Sequence, residues 1–191
     1  MESATPPYYQ RLAAAYVRGT LGHAATFTGL DAATSDLFAA PLDDLSTDQL
    51  QAIIQAGLDS GMRLHRFKRT MGLPRVSKVL GILRGLQPDT LLDIGSGRGA
   101  FLWPLLDAFP NLRVTCADIL DHRVAGIQAV HDGGVATLAA VRADATALPL
   151  ADESFDVVTL LEVLEHIPDT RRALAEVCRV AKRFVVLSVP M

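Results

Sequence analysis

From about residue 91 onward, the chain alternates short apolar or β-branched runs with segments of helical periodicity. The runs predict five strands, at Leu91–Ile94, Arg113–Ala117, Thr137–Arg142, Phe155–Leu161 and Phe184–Val189. These runs lack the polar alternation of a sheet that faces water on one side, so both faces of the sheet should be covered. The pattern predicts an α/β fold with a doubly wound, mostly parallel sheet.

The segment Asp169–Lys182, just before the last predicted strand, has helical rather than strand spacing. Its apolar residues fall on one helical stripe, made of Leu174, Val177, Cys178 and Ala181. We therefore predict a helix over this segment, with the stripe packed against the sheet.

The first 88 residues carry helical signals and no convincing strand. The clearest helix starts after Ser46, which has capping-box spacing to Gln49 and is followed by an apolar stripe. A second helical stretch covers Met62–Met71, and a third opens at Pro74, a residue favoured in the first turn of a helix. We therefore expect the N-terminal part of the chain to be helical.

Composition supports one folded core. Of the 191 residues, 50% are hydrophobic and 20% are charged, with a mean hydropathy of +0.27, which argues against intrinsic disorder. The formal net charge of −3 gives no broad basic surface, so nucleic-acid binding is not supported. We expect residues 1–88 to form a helical cap or lid on an α/β core made of residues 89–191.

The cysteines and the N-terminus bear on location. Cys116 and Cys178 lie far apart in apolar surroundings, which favours neither a disulfide nor a thiolate zinc site. The N-terminus has no cationic region followed by an apolar run, and no stretch approaches the ~20 apolar residues of a membrane span. We expect a cytoplasmic protein that is neither exported nor bound to a membrane.

The segment Leu91–Phe101 is the most informative part of the chain, because a strand runs into a glycine-rich turn and then a helix. Glycines let the backbone turn sharply and let a ligand approach closely. The spacing Gly95-x-Gly97-x-x-Ala100 also satisfies the dinucleotide fingerprint. Glycine spacing alone therefore leaves S-adenosylmethionine and a nicotinamide cofactor, and hence a nicotinamide-dependent oxidoreductase, both open.

Acidic residues at three successive strand ends favour the first of these cofactors. Asp118 follows Gly99 by 19 residues, where a carboxylate accepts hydrogen bonds from ribose hydroxyls in either cofactor class. Asp93, beside the glycine turn, would repel a pyrophosphate but attract the ammonium group of a methionine moiety. Asp144, after the third strand, can accept from the exocyclic amine of adenine.

The chain resembles the class I S-adenosylmethionine-dependent methyltransferases, and their type 11 branch in particular, from about Leu91 to Pro190. The resemblance rests on Leu92–Gly99, on Ala143–Ala145 with Leu148–Leu150, and on Phe155–Val158 followed by Glu162–Asp169. It implies a Rossmann-like fold, S-adenosyl-L-methionine as cofactor and a small-molecule acceptor. It also implies in-line displacement of the methyl group, which needs no protein nucleophile and depends mainly on alignment.

The resemblance further implies which residues hold the cofactor. It places Asp93, Gly95, Ser96, Gly97 and Gly99 at the methionine end, Asp118 at the ribose with Ile119 beside it, Asp144 and Ala145 at adenine, and Leu161 and Glu162 on the sulfonium side.

Glu162, Glu165 and His166 are the candidate catalytic residues, because i, i+3, i+4 spacing at the start of a predicted helix puts them on one face. A similar Glu-x-x-Glu-His binds a divalent metal in small-RNA 3′-terminal ribose methyltransferases and in ubiquinone-biosynthesis O-methyltransferases. The favoured interpretation is the ordinary end of the fourth strand, with His166 as a hydrogen-bonding residue or base near the acceptor. No metal is therefore assigned.

The pattern departs from the family after the fifth strand. Class I methyltransferases usually add two further strands as an antiparallel extension, and here these are expected to be absent. The fifth strand would then be an exposed apolar edge, which tends to pair with another chain. We therefore expect a shortened form or a homodimer through this edge. A non-catalytic protein that binds S-adenosylmethionine remains the alternative.

Overall fold

The computed structural model describes residues 8–22, 32–69 and 73–190. Within these ranges the helices are α1 (Gln10–Gly22), α2 (Ala32–Ala39), α3 (Thr47–Asp59), α4 (Pro74–Leu86), α5 (Leu102–Ala108), α6 (Asp121–Asp132) and α7 (Thr170–Val180). The strands are β1 (Thr90–Ile94), β2 (Arg113–Asp118), β3 (Leu138–Arg142), β4 (Phe155–Leu161) and β5 (Ala181–Ser188). No helix in these ranges is long and apolar enough to cross a bilayer.

The five strands form one parallel sheet in the order β3-β2-β1-β4-β5. This confirms the predicted doubly wound α/β architecture. The direction of winding reverses between β1 and β4, and in such sheets ligands bind outside the carboxyl ends of the strands at that reversal. The residues that follow β1 and β4 are therefore placed at the natural binding crevice of the fold.

The predicted strands are confirmed, and four of them are placed to within one residue. Leu91 and Leu92 are both fully buried, although neighbouring residues on a strand point to opposite faces. Both faces of β1 are thus covered, as the absence of polar alternation predicted. The exception is β5, which begins at Ala181 rather than at Phe184 because α7 ends at Val180.

The stripe predicted for α7 is wrong in two positions, and one of these is Ala181, which already belongs to β5. Cys178 is exposed, and the buried positions of this helix are Ala173, Val177 and Val180. Those positions are spaced i, i+4, i+7, and Cys178 lies one step around the helix from Val177. The stripe that packs on the sheet is therefore narrower than predicted.

The chain divides into two compact units, residues 1–71 with 126–136, and residues 72–125 with 137–191. The second unit contains the sheet and α4. The first contains α1, α2, α3 and the second half of α6. The predicted role of residues 1–88 as a cap or lid concerns how they act on the site, and it stays a prediction.

The capping box at the start of α3 is confirmed. The backbone N–H of Gln49 donates to Ser46 Oγ at 3.3 Å, and the backbone N–H of Ser46 donates to Gln49 Oε1 at 2.8 Å. Two N–H groups at the start of the helix, which have no partner within it, are thereby satisfied.

The helix predicted over Met62–Met71 is wrong for the residues that the structure describes, which end there at 69. They contain only a short 3-10 turn, His65–Phe67. The backbone is used elsewhere, because the carbonyl of Phe67 accepts from Tyr9 N at 2.9 Å and Lys68 forms an antiparallel bridge with Tyr8. Pairing with a segment some sixty residues away thus replaces the local helix.

Within the first unit, α1 and the second half of α6 approach so closely that only glycine fits at two positions. A Cβ atom on Gly19 would overlap the carbonyl oxygen of Ala129, and one on Gly133 would overlap that of Ala15. The obstacles are backbone atoms, which cannot rotate away as a side chain can.

Candidate active site

A cavity of about 450 Å³ opens at the carboxyl ends of the strands. Its volume lies within the range of roughly 300–1,000 Å³ that is usual for small-molecule sites. The predicted site residues that line it are Gly95, Asp118, Ile119, Asp144, Ala145, Glu162 and His166. Residues that follow four different strands thus meet at the reversal of the sheet.

A smaller cavity of about 60 Å³ shares Gly95 with the larger one. Of the predicted residues, Asp93, Ser96 and Leu161 line it, together with Arg75 from α4. Gly97, Gly99 and Glu165 line neither of the two cavities. The structure therefore brings together most of the residues that the resemblance placed at the cofactor.

The glycine-rich turn after β1 has a left-handed backbone, with φ of +72° at Gly95 and +85° at Gly99. A Cβ on Gly95 would also overlap the side chain of Val163, and one on Gly99 would overlap the indole of Trp103. Trp103 Nε1 in turn donates to the carbonyl of Arg98 at 2.9 Å. Gly99 therefore lets the turn pack on Trp103, and Gly95 lets it pack on Val163 while lining both cavities.

Asp93 is a buried carboxylate with one oxygen satisfied. Its side chain is 2% exposed, and Thr159 Oγ1 donates to its Oδ1 at 2.7 Å. Oδ2 is buried and has no hydrogen-bond partner among the residues that the structure describes. Burial raises the pKa of Asp93 to about 6, although the hydroxyls of Ser96 and Thr159 act in the opposite direction. A buried acceptor of this kind is suited to a cationic donor such as an ammonium group.

Asp118, at the end of β2, is held from several sides. Its Oδ1 accepts from Leu120 N at 3.0 Å, and its Oδ2 lies 3.4 Å from both Gly97 N and Arg123 Nη1. The residue is 4% exposed, yet it lines the larger cavity. Arg123, which also lines that cavity, was not predicted from the sequence. A basic residue in the first turn of the helix after β2 is the signal that could have found it.

The loop after β3 is fixed to α7. Thr146 donates to Asp144 Oδ1 through its backbone N–H and through its hydroxyl, each at 2.8 Å, and these bonds hold the pKa of Asp144 below its usual value. Further along, Leu148 N donates to Glu176 Oε2 at 2.8 Å and Arg179 donates to the carbonyl of Leu148 at 3.0 Å. The loop that carries Asp144, the residue predicted to contact adenine, is therefore held in place by hydrogen bonds within the protein.

The three candidate catalytic residues do not share a helical face, so that prediction is wrong. Glu162 has φ of +58°, its N–H donates to the carbonyl of Ser188 at 3.0 Å, and its Oε1 accepts from the hydroxyl of Ser188. Glu165 and His166 lie in a single 3-10 turn, and α7 begins only at Thr170.

Backbone hydrogen bonding to β5 therefore interrupts the helical pattern at this point. Glu162 and His166 line the larger cavity and Glu165 does not, while Glu165 and His166 are both exposed. Among the described residues, no group of three or more His, Cys, Asp or Glu side chains could hold a metal ion.

Comparison with known proteins shows which family this chain matches. A family model described as "Methyltransferase domain" matches residues 92–187. The chain is 34% identical over 107 residues to the malonyl-[acyl-carrier protein] O-methyltransferase of Geobacter sulfurreducens, covering 55% of this chain and 40% of that protein. It is 37% identical over 106 residues to the ubiquinone/menaquinone biosynthesis C-methyltransferase UbiE of Methylobacterium nodulans, covering 53% of this chain and 42% of that protein.

The same region matches solved structures. The crystal structure of the PH0226 protein from Pyrococcus horikoshii superposes with a TM-score of 0.51 at 20% identity, covering 61% of this chain and 52% of that one. This likeness concerns the fold alone. The chain spans about two fifths of the length of the two curated relatives, and S-adenosylmethionine is the cofactor that the family implies.

Proposed function

Since the chain belongs to the class I S-adenosylmethionine-dependent methyltransferases, we propose that it binds S-adenosylmethionine at the carboxyl ends of the strands and methylates a small-molecule acceptor. The observation that carries this proposal is Asp93, whose buried Oδ2 has no partner among the described residues and whose side chain lines the smaller cavity. Burying a carboxylate oxygen is costly unless a cation pairs with it, and the ammonium group of the cofactor can be that cation. A nicotinamide cofactor would instead bring a pyrophosphate near this negative charge.

The charges around the two cavities suit a zwitterionic methionine end. Asp93 would accept from the ammonium group, and the guanidinium of Arg75, which lines the same cavity, would meet the carboxylate. In the larger cavity, Asp118 would accept from the ribose hydroxyls and Asp144 from the adenine amine. Gly95 lines both cavities and would therefore lie beside the ligand between these two ends.

The reaction follows from this placement. The bound cofactor supplies a methyl group that is already activated by its positively charged sulfur. Asp93 and Arg75 at one end and Asp118 and Asp144 at the other would hold the cofactor so that an acceptor can be aligned with its methyl group, with S-adenosylhomocysteine as the leaving group. Glu162, held at the larger cavity by Ser188, faces the sulfonium side, and His166 can take a proton from the acceptor. Glu165 lines neither cavity and is the least supported of the three candidate catalytic residues.

The acceptor is proposed only as a small molecule. The names of the two curated relatives include an O-methyltransferase and a C-methyltransferase, so they do not select one kind of acceptor atom. That residues 1–88 act as a lid, and that the protein is cytoplasmic, are expectations from the sequence and belong to the same proposal.

Calorimetric titration of the full chain tests cofactor binding. We expect micromolar dissociation constants for S-adenosylmethionine and S-adenosylhomocysteine, and no binding of NADH. Asp118→Asn should weaken binding about 10- to 100-fold, because hydrogen bonds to a charged acceptor become bonds to a neutral one. Asp121→Asn is the matched control, since its carboxylate is 75% exposed and does not line the cavity. A folded wild-type chain that binds NADH but neither sulfur compound would contradict the proposal and favour the oxidoreductase.

We also propose that the edge of β5 pairs with a second copy of the chain. Among the described strands β5 is at the edge of the sheet, and its Phe184 and Leu187 are 41% and 43% exposed. Light scattering should give a dimer for the wild type and a shift toward monomer for Leu187→Lys, because lysine blocks edge pairing. Ile82→Lys, at an exposed apolar position on α4, is the control and should leave the mass unchanged. A monomer at high wild-type concentration would refute this pairing.

A further inference from the structure

The middle of the sheet carries a row of polar side chains within its apolar core. Asp93 on β1 is in register with Thr159 on β4 and with Cys116 on β2. Neighbours in register on parallel strands point to the same face of the sheet, so the three side chains lie side by side. All three are buried, and Thr159 has no exposed surface at all.

The hydroxyl of Thr159 is placed to bind one oxygen of Asp93. Its Oγ1 lies 2.7 Å from Asp93 Oδ1 and 3.3 Å from the carbonyl oxygen of Leu92. A hydroxyl has one proton to donate, and the shorter contact to the charged oxygen is the stronger bond. Because threonine is β-branched, its rotamer is restricted and the hydroxyl stays in place. Oδ1 is thereby occupied, and the buried Oδ2 is left without a partner among the described residues.

We infer that Thr159 is a positioning residue for the cofactor: its hydroxyl holds Asp93 Oδ1 so that the ionised Oδ2 meets the ammonium group of the methionine moiety. This inference rests on the proposed function. Packing alone does not require the hydroxyl, because valine would fill nearly the same volume without a polar atom to satisfy. The hydroxyl is instead explained by the carboxylate beside it.

The surroundings of Asp93 determine how binding should vary with pH. The titratable groups beside it are Cys116 and Asp118 from β2, and Arg75 from α4 lines the same small cavity. Burial raises the pKa of the Cys116 thiol well above its usual value, so this group stays neutral. Burial and the charge of Asp118 raise the pKa of Asp93, whereas the hydroxyls of Ser96 and Thr159 lower it. Removing that hydroxyl should therefore raise the pKa of Asp93 further.

The test measures the dissociation constant of S-adenosylhomocysteine against pH, from about pH 5 to 8.5, for the full chain and its variants. Binding to the wild type should weaken as pH falls through the pKa of Asp93, which burial places at about 6. For Thr159→Val we expect binding about 10-fold weaker at pH 7.5, and a midpoint of the pH profile about one unit higher. Thr159→Ser restores a hydroxyl and should recover both values. Thr115→Val, at a half-buried position on β2, is the control and should match the wild type.

The outcomes separate this inference from the proposed function. A wild-type chain that fails to bind at every pH would remove the proposed function and this inference together. A wild type that binds, with Thr159→Val folded and unchanged in affinity and pH midpoint, would overturn the inference alone. Equal loss in Thr159→Val and Thr159→Ser, with no shift of the midpoint, would assign Thr159 a packing role and also overturn it. Should Thr159→Val not fold, Thr159→Ala takes its place. A pH midpoint higher than that of Thr159→Ser would support the inference, and an equal midpoint would overturn it.

Discussion

Asp93→Asn is expected to raise the free energy of unfolding by up to about 3 kcal/mol above pH 7, while weakening S-adenosylmethionine binding by about 100-fold or more. Burial raises the pKa of Asp93 to about 6, against an ordinary value of 3.8. The unfolded chain therefore ionises this group more readily than the folded one. The free energy of unfolding of the wild type therefore falls as pH rises from about 4 to about 6, and this loss of stability stays constant above that range.

Urea unfolding of both proteins between pH 4 and pH 8 measures this effect. The gain in stability from asparagine should be small near pH 4, where the carboxyl group is neutral in the folded chain and only about half ionised in the unfolded chain, and largest above pH 7. Asp121→Asn removes an exposed carboxylate and should show no such trend. An asparagine variant that is less stable than the wild type at every pH would mean that the buried carboxylate carries no penalty.

Gly19→Ala is expected to destabilise the first unit by about 3 kcal/mol, and Gly133→Ala by a similar amount. The added methyl group would overlap the carbonyl oxygen of Ala129 in the first case and of Ala15 in the second. Both obstacles belong to helical backbone, so relief requires α1 and α6 to move apart.

The control is the same substitution in open space. Gly81 lies inside α4 and has no atom within 4 Å of a Cβ placed on it. Alanine there should stabilise the chain by about 0.5–1 kcal/mol, because it favours the helix and restricts the unfolded state. Hydrogen exchange of amides in α1, α3 and the second half of α6 measures the first unit separately. Unchanged protection in Gly19→Ala would show that the helices separate at little cost.

The sequence predicted the sheet well because its signal is local. Buried parallel strands need continuous apolar runs, and a glycine turn after the first of them has few alternative uses. Asp93, Asp118 and Asp144 could be found because each lies within two residues of the end of a predicted strand, and parallel strands bring their carboxyl ends to one edge.

The features that were missed depend on contacts between distant segments. The stretch around Phe67 has helical spacing, but its backbone pairs with Tyr8 and Tyr9. Glu162 leaves the helical pattern because its N–H bonds to Ser188 in β5. Thr159 left one local trace, a hydroxyl within an apolar strand, yet its partner Asp93 lies 66 residues away in the sequence.

The unpartnered oxygen of Asp93 also implies that ligand binding releases protons in mildly acidic solution. Near pH 6 the carboxyl group is about half protonated, and an ammonium ion seated against it would favour the charged form. The released proton is taken up by the buffer. Heats of binding measured at that pH should therefore differ between phosphate and imidazole buffers, whose protonation enthalpies are unlike, and should converge at pH 8. The difference in heat, divided by the difference in protonation enthalpy, gives the number of protons released for each ligand bound.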